Sequence, residues 1–282
     1  MTRDAAGRPA ATSAGFNPRP FRRIIEEMNE HLRFNTHIGQ EKPFTIDKRD
    51  AACPFCDRSQ LADILEEHPP IVYLKNKFPV LEDTYQTVII ETDACDAELS
   101  TYAPAHLHAV MRFGVEKWLE MARSGDFASV VFYKNHGPHS GGSLRHPHMQ
   151  IVGLNRVDYR NNVRERDFEG LAIAAEEGVR FNLSTHPRMG FTEFNVLLSD
   201  PARIDRMADY VQVAAHYVLN HFHAQINSYN LFFYETPDGI AAKLIPRFIV
   251  GPLFVGFSIP QVTNRLDEIV QVIQERYFER DA

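Results

Sequence analysis

The chain has 282 residues, of which 44% are hydrophobic, 24% charged and 11% aromatic, the profile of a globular protein with core enough for one large domain or two of roughly 140 residues. Thirty lysines and arginines against 37 acids leave a formal charge of −7, which argues against a general binder of nucleic acid or of anionic membranes. No apolar run approaches the roughly 20 residues that span a bilayer, and Met1 to Pro18 lacks the apolar middle of a secretory signal, so a cytoplasmic protein with a mobile tail over 1–18 is expected.

Apolar spacing predicts a helix over 20–34, a loop over 35–58 and a short helix over 59–67. The β-branched runs Ile71 to Leu74 and Thr87 to Thr92 read as strands. A long amphipathic helix follows over 103–124, with Pro104 tolerated in its first turn. Strand Ser129 to Tyr133, a polar glycine-rich loop over 135–147 and strand His148 to Leu154 complete the first half. The charged stretch 155–185 reads as a connection. The same order then recurs: a strand over 191–198, a helix over 201–223, strand Ser228 to Glu235, the turn Thr236 to Gly239 and strand Ile240 to Arg247, with a last helix over 260–280. The recurrence of helix, strand, loop and strand points to two tandem α+β units.

Three cysteines, an odd number, exclude a complete disulfide framework. Cys53-Pro54-Phe55-Cys56 leaves a redox pair or a metal site open in a reducing compartment. The stretch Lys134-Asn-His-Gly-Pro-His-Ser-Gly-Gly-Ser-Leu-Arg-His-Pro-His-Met-Gln150 is the most informative. In an extended segment, His146, His148 and Gln150 share one face. The glycine loop before them can turn backbone N–H groups toward an anion, and Asn135 and Ser143 can add side-chain hydrogen bonds. Imidazole beside an anion cradle is the equipment for nucleophilic attack on a phosphate.

His146-Pro-His-Met-Gln150 resembles the His-x-His-x-Gln signature of the galactose-1-phosphate uridylyltransferase branch of the histidine-triad (HIT) superfamily. Cys53-Pro-Phe-Cys56 resembles the zinc-binding Cys-x-x-Cys of that branch, and Lys75-Asn-Lys-Phe-Pro79 resembles its nucleoside-binding segment. The resemblance covers about residues 40–155 and is weaker in the second half. It implies an α+β, HIT-like fold of two tandem helix–strand–loop–strand units with antiparallel sheets, the second degenerate. The expected division is a tail over 1–18, a zinc-containing catalytic unit over 19–155 and a second unit over 156–282.

The resemblance also implies a nucleotidyltransferase or phosphorylase in which His148 becomes a nucleotidyl-histidine and hands the nucleotide to a second phosphate. Gln150, Ser143 and Asn135 would assist at the phosphate, and Asn76, Lys77, Phe78 and Lys42 would hold the nucleotide. Relatives complete the zinc site with a histidine after the strand ending in Glu-Thr and with the first triad histidine. Here Cys95 stands in that neighbourhood, so Cys53, Cys56, Cys95 and His146 are expected to hold a structural zinc ion. Matching Ile245-Pro246-Arg247 to its counterpart puts Gly239 and Ala241 where a second His-x-His would stand, so one triad is expected and the iron site of some relatives is not. Lys243 and Arg247 either bind an anionic second substrate or form a solvated strand edge. His216, His221 and His223 read as surface residues. The expected partners are a nucleotide or nucleotide-sugar and a phosphate-bearing acceptor, with no nucleic acid and no membrane, and a homodimer is allowed. Two other readings remain: a nucleotide-binding or sensing protein without turnover, and a dinucleotide polyphosphate hydrolase.

Overall fold

The computed structural model describes residues 31–279 apart from Arg49 and Ala224. The expected tail over 1–18, and the expected helix over 20–34 as far as residue 30, lie outside the described residues. Residues 31–34 are not helical, and Phe34 bridges to Leu81. Within the expected loop 35–58, Thr36–Glu41 (α1) forms a short helix capped by Asn35, whose Oδ1 accepts from the Ile38 N–H.

Among the described residues, ten strands pair into one antiparallel sheet. In chain order they are Ile64–His68 (β1), Ile71–Lys75 (β2), Thr84–Ile90 (β3), Ser129–His136 (β4), His148–Leu154 (β5), Gly170–Glu176 (β6), Val179–Ser184 (β7), Phe194–Leu198 (β8), Tyr229–Thr236 (β9) and Gly239–Pro246 (β10). Their spatial order is β1-β2-β3-β5-β4-β9-β10-β8-β7-β6. Read inward from either edge, the halves follow one pattern, and they meet where β4 pairs with β9. Helix Pro104–Arg123 (α2) stands between β3 and β4, and helix Ile204–Tyr217 (α3) stands between β8 and β9.

Both helices cover the same face of the sheet. Leu107, Val110, Met111 and Trp118 of α2 and Met207, Val211 and Ala214 of α3 join Ile89, Met149, Ile151, Phe132 and Leu231 in the main core, as i, i+3, i+4 spacing requires. Trp118 is fully buried and donates from Nε1 to the Val130 carbonyl at 2.9 Å. A Cβ on Gly114 would lie 2.7 Å from the Phe132 ring, so glycine there lets α2 close on β4. The opposite face carries a smaller cluster of Val72, Leu74, Val88 and Ile90, with Phe55 and Leu61 packed on it.

The helix expected over 59–67 is instead a 3-10 turn, Arg58–Gln60, followed by β1. Asp63 between them has φ of +54°, which breaks a helix, and pairing with β2 outweighs local propensity. The presumed connection 155–185 holds two 3-10 turns and the β6–β7 hairpin. Most of its charges sit on exposed positions, though Asp167 is buried, while Ile173, Val179, Phe181 and Leu183 enter the core. Helix 201–223 ends at Tyr217 and continues as one π-helical turn, Val218–Phe222. The last α-helices are Pro252–Phe257 (α4) and Leu266–Tyr277 (α5).

Candidate active site

The face opposite the helices carries the chemistry. In β5, His148 lies across from Ile90 and Gln150 across from Val88, so both side chains share the face of the small Val88–Ile90 cluster. A cleft of about 330 Å³ opens there, and its lining includes Lys42, Asn76, Lys77, Phe78, Ser143, His148 and Gln150. Seven of the eight residues expected for the phosphate and the nucleotide thus meet in one cleft. Asn135, the eighth, stands on the same face of β4 next to the glycine loop, since Tyr133 lies across from Gln150, and its Oδ1 accepts from Asn230 Nδ2 at 2.6 Å. The β4–β9 pairing sets it beside Asn230.

His148 is buried, and its Nδ1 lies 2.7 Å from the His146 carbonyl. A carbonyl only accepts, so the proton sits on Nδ1 and the Nε2 lone pair is left free. Burial lowers the pKa of this imidazole to about 4, with Lys134 and Lys42 adding to the effect. The ring is therefore neutral near pH 7. Burial also lowers the pKa of Lys42. Asn76 Oδ1 accepts from the Phe78 N–H at 2.9 Å, shaping the Asn76-Lys77-Phe78 turn. The glycine loop is seated on the second half: Gly137 has φ of +79°, and a Cβ there would lie 2.1 Å from the Asn227 carbonyl oxygen, so no other residue fits.

Beside the cleft, the ligand atoms of Cys53, Cys56, Cys95 and His146 all lie within 4.8 Å of one another. Both Cys53 Sγ and Cys56 Sγ are 3.6 Å from His146 Nδ1. A tetrahedral zinc with sulfur at about 2.3 Å and nitrogen at about 2.05 Å would set these atoms roughly 3.6 Å apart. His146 Nε2 donates to the Thr92 carbonyl at 2.7 Å, which leaves Nδ1 unprotonated toward the thiols, the usual outer bond of a metal-bound imidazole. Burial first, then Cys95 and Cys53, push the Cys56 pKa up to about 12, and a bound cation would favour the thiolate form. Arg145 donates to Cys95 Sγ at 3.6 Å and pairs with Asp96. The donor set fits a structural metal ion with thiolate preference.

Several residues here had no forecast in the sequence. Phe55, within the Cys-x-x-Cys, sets its ring edge against both His146 and His148, at centroid distances of 5.9 and 5.6 Å. Its place between two metal-spaced cysteines was the available signal. Glu91 and Lys134 form a buried ion pair at 2.5 Å, and Tyr102 Oη donates to Glu91 at 2.9 Å. The signal for this pair was a charge ending each of two apolar strands. Lys243 corrects both of its expectations: it is fully buried and paired with Glu193 at 2.9 Å, so it is neither a solvated edge nor a free anion ligand. Arg247 is half-buried, and its Nη1 lies 3.4 Å from Met189 Sδ. His216 Nδ1 meets Tyr277 Oη at 2.7 Å.

Comparison with known proteins places these features in context. Two sequence profiles match: the N-terminal domain of a domain of unknown function (DUF4931) over residues 34–157, and the C-terminal domain of the same family over residues 160–278. A crystal structure of a DUF4931 family protein from Bacillus cereus is 45% identical, covers 76% of this chain and 98% of its own, and superposes with a TM-score of 0.70. More distant structures share the fold. An ADP-glucose phosphorylase from Arabidopsis thaliana with bound ADP-glucose is 14% identical, with a TM-score of 0.67 over 84% of this chain and 92% of its own. A galt-like protein from the same plant is 15% identical, with a TM-score of 0.66 over 87% and 98%. A curated relative, a di-/tripeptide transporter from Lactobacillus helveticus, is 36% identical over 105 residues, and that match covers 37% of this chain and about a fifth (21%) of the relative. Among the described residues no helix is long and apolar enough to cross a membrane.

Proposed function

The chain belongs to the DUF4931 family, and for this member we propose nucleotidyl transfer through a covalent intermediate on His148. One observation carries the reading: a neutral imidazole, oriented through Nδ1 by the His146 carbonyl, lines a cleft together with Lys42, Ser143 and Gln150. The fold shared with an ADP-glucose phosphorylase and a galt-like protein supports the general kind of chemistry.

The substrate class is a nucleotide joined through its α-phosphate to a second phosphate, as in a nucleotide-sugar. His148 Nε2 attacks the α-phosphorus, forming an N–P bond as the bridging P–O bond breaks. The leaving group departs as a phosphate ester anion and needs no proton, so no general acid is required. A phosphate oxygen of the acceptor then attacks the same phosphorus from the side the leaving group vacated. The N–P electron pair returns to Nε2, and the imidazole is neutral again. Through the cycle Nδ1 keeps its proton on the His146 carbonyl, which stabilises the positive charge that the ring gains in the intermediate.

Gln150 is half-buried one alternation along β5, and its amide can donate to a non-bridging oxygen as charge builds there. Lys42 and Ser143 supply charge and a hydroxyl at the same oxygens, while Phe78 and Asn76 offer a stacking face and a polar edge to the nucleoside. The four ligands Cys53, Cys56, Cys95 and His146 would hold zinc as a structural ion, tying the Cys53–Cys56 turn to the end of β3 and the start of β5. The test is incubation with UDP-sugars, ADP-sugars, dinucleoside polyphosphates and adenylyl sulfate, followed by intact mass measurement. A gain of one nucleoside monophosphate, lost on adding a phosphate acceptor, is expected. Tight nucleotide binding without any mass gain would favour a binding or sensing protein.

A further inference from the structure

Beneath β5, on the helix side of the sheet, lies a charge pair that the proposed chemistry does not touch. Lys134 is 1% exposed and Glu91 is fully buried. Glu91 Oε1 accepts from Lys134 at 2.5 Å, and Oε2 accepts from Tyr102 Oη at 2.9 Å. The carboxylate is therefore fixed from two elements, the end of β4 and the turn before α2. Its own backbone N–H donates to the Pro147 carbonyl at 3.1 Å, which belongs to the peptide between the two histidines. The next residue, Thr92, accepts from His146 Nε2. Residues 91 and 92 thus hold the start of β5 at both imidazoles.

Two buried charges are expensive to desolvate, and an apolar pair of similar size is usually at least as stable. The molecule contains that apolar alternative. With Gly239 and Ala241 as the counterparts of His146 and His148, Ile240 stands for Pro147 and Ala242 for Met149. Glu91 lies across from Pro147, and Lys134 lies across from Met149. In the other half, Leu198 lies across from Ile240 and Phe233 across from Ala242. Leu198 and Phe233 are core residues, 3% and 2% exposed. At these equivalent positions the half that lacks the histidines is apolar and the half that has them is charged; the buried pair of the other half, Lys243–Glu193, is built from different strand positions.

We propose that Glu91 and Lys134 are positioning residues for His148. The pair locks the end of β3 to β4 and so fixes the Pro147 peptide, and with it the Nδ1–H···O=C bond that aims Nε2 into the cleft. This inference rests on His148 being the nucleophile.

The test is the variant E91L/K134F, which installs the residues of the other half, with E91Q/K134M as a neutral polar companion. Four quantities are measured: melting temperature, zinc content, nucleotide affinity by calorimetry and the rate of nucleotidyl labelling. A fifth is the exchange lifetime of the His148 Nδ1 proton, followed by NMR without nucleotide. E91L/K134F should melt within a few degrees of wild type, the cost being the Tyr102 hydroxyl that loses its acceptor, and should retain its zinc and bind nucleotide within about twofold. Its labelling should slow at least tenfold, and the Nδ1 proton should exchange at least tenfold faster. Wild-type labelling and proton lifetime in E91L/K134F would overturn the proposal. So would failure of E91L/K134F to fold while E91Q/K134M labels at the wild-type rate, because the pair would then serve the fold alone. Absence of labelling in the wild type would remove the transfer reading instead, and the proton lifetime would still decide whether the pair orients His148.

Discussion

Replacing Cys95 by serine tests the metal centre independently of any reaction. Cys95 comes from the turn after β3, Cys53 and Cys56 from a turn far upstream, and His146 from the residue pair that opens β5. All four ligand atoms lie within 4.8 Å of one another. Structural zinc contributes about 10–16 kcal/mol in small zinc domains, or roughly 2.5–4 kcal/mol for each of four ligands. At about 1.4 kcal/mol per tenfold, loss of the Cys95 thiolate should weaken zinc binding by roughly two to three orders of magnitude. The geometry adds a second consequence. Arg145 donates to Cys95 Sγ and pairs with Asp96, so its cation compensates a thiolate that serine would not supply. The assay is competition against a chromogenic chelator at fixed pH, with metal content by elemental analysis of the purified protein. Wild type should hold one zinc per chain, and C95S should surrender it at a chelator concentration far lower than wild type requires. Full occupancy of C95S, with unchanged competition, would show that Cys95 is not a ligand and refute the Cys₃His assignment.

Other expectations follow from the same geometry. H148A should abolish nucleotidyl labelling while leaving nucleotide affinity within a few-fold by calorimetry, since the remaining cleft residues are untouched; undiminished labelling would mean that another group attacks. H146A should instead lose zinc and melt lower, and a zinc content equal to wild type would count against His146 as a ligand. Q150A should slow labelling by roughly 10²-fold with little change in affinity, as for loss of one donor to a charge that develops in the transition state; an affinity loss equal to the rate loss would contradict that role. His136 gives a pH effect. Burial lowers its pKa to about 4, and its ring stacks on Tyr229. The unfolded chain binds this proton near pH 6.5 and the folded chain does not, so the stability from a neutral His136 is present above that pH and is lost as pH falls toward 4. The loss from pH 7 to pH 5 should be roughly 2 kcal/mol. H136F keeps the stacked ring without the titration and should make the denaturation midpoint fall less steeply across that window, His148 retaining its own share, whereas an unchanged slope would place the titration elsewhere.

The sequence by itself determined the elements whose periodicity is strong and whose ends are marked. The helix behind Pro104 and the strand pairs flanking the glycine loop and the Thr236–Gly239 turn are where apolar spacing and turn chemistry put them, because local and tertiary preferences agree there. It also placed His148 and Gln150 on one face, since strand alternation leaves no choice. Cys95 was an expectation from the family resemblance, and it is the pairing of β3 with β5 that brings its turn beside Cys53, Cys56 and His146.

Only the tertiary structure decided what depends on partners distant in the chain. Residues 64–68 look as helical as strand-like until β2 supplies an edge to pair with. The charged stretch 155–185 hides the β6–β7 hairpin because exposed positions there carry the charges and mask the alternation. Asn135 bonds to Asn230 of the other half, and Lys243 finds Glu193 in the core. No local pattern encodes those pairings, because each is fixed by which strand lies alongside. The Glu91–Lys134 pair is the clearest case. Each charge reads as an ordinary strand end until β5, running between β3 and β4, brings the two together beneath the histidines.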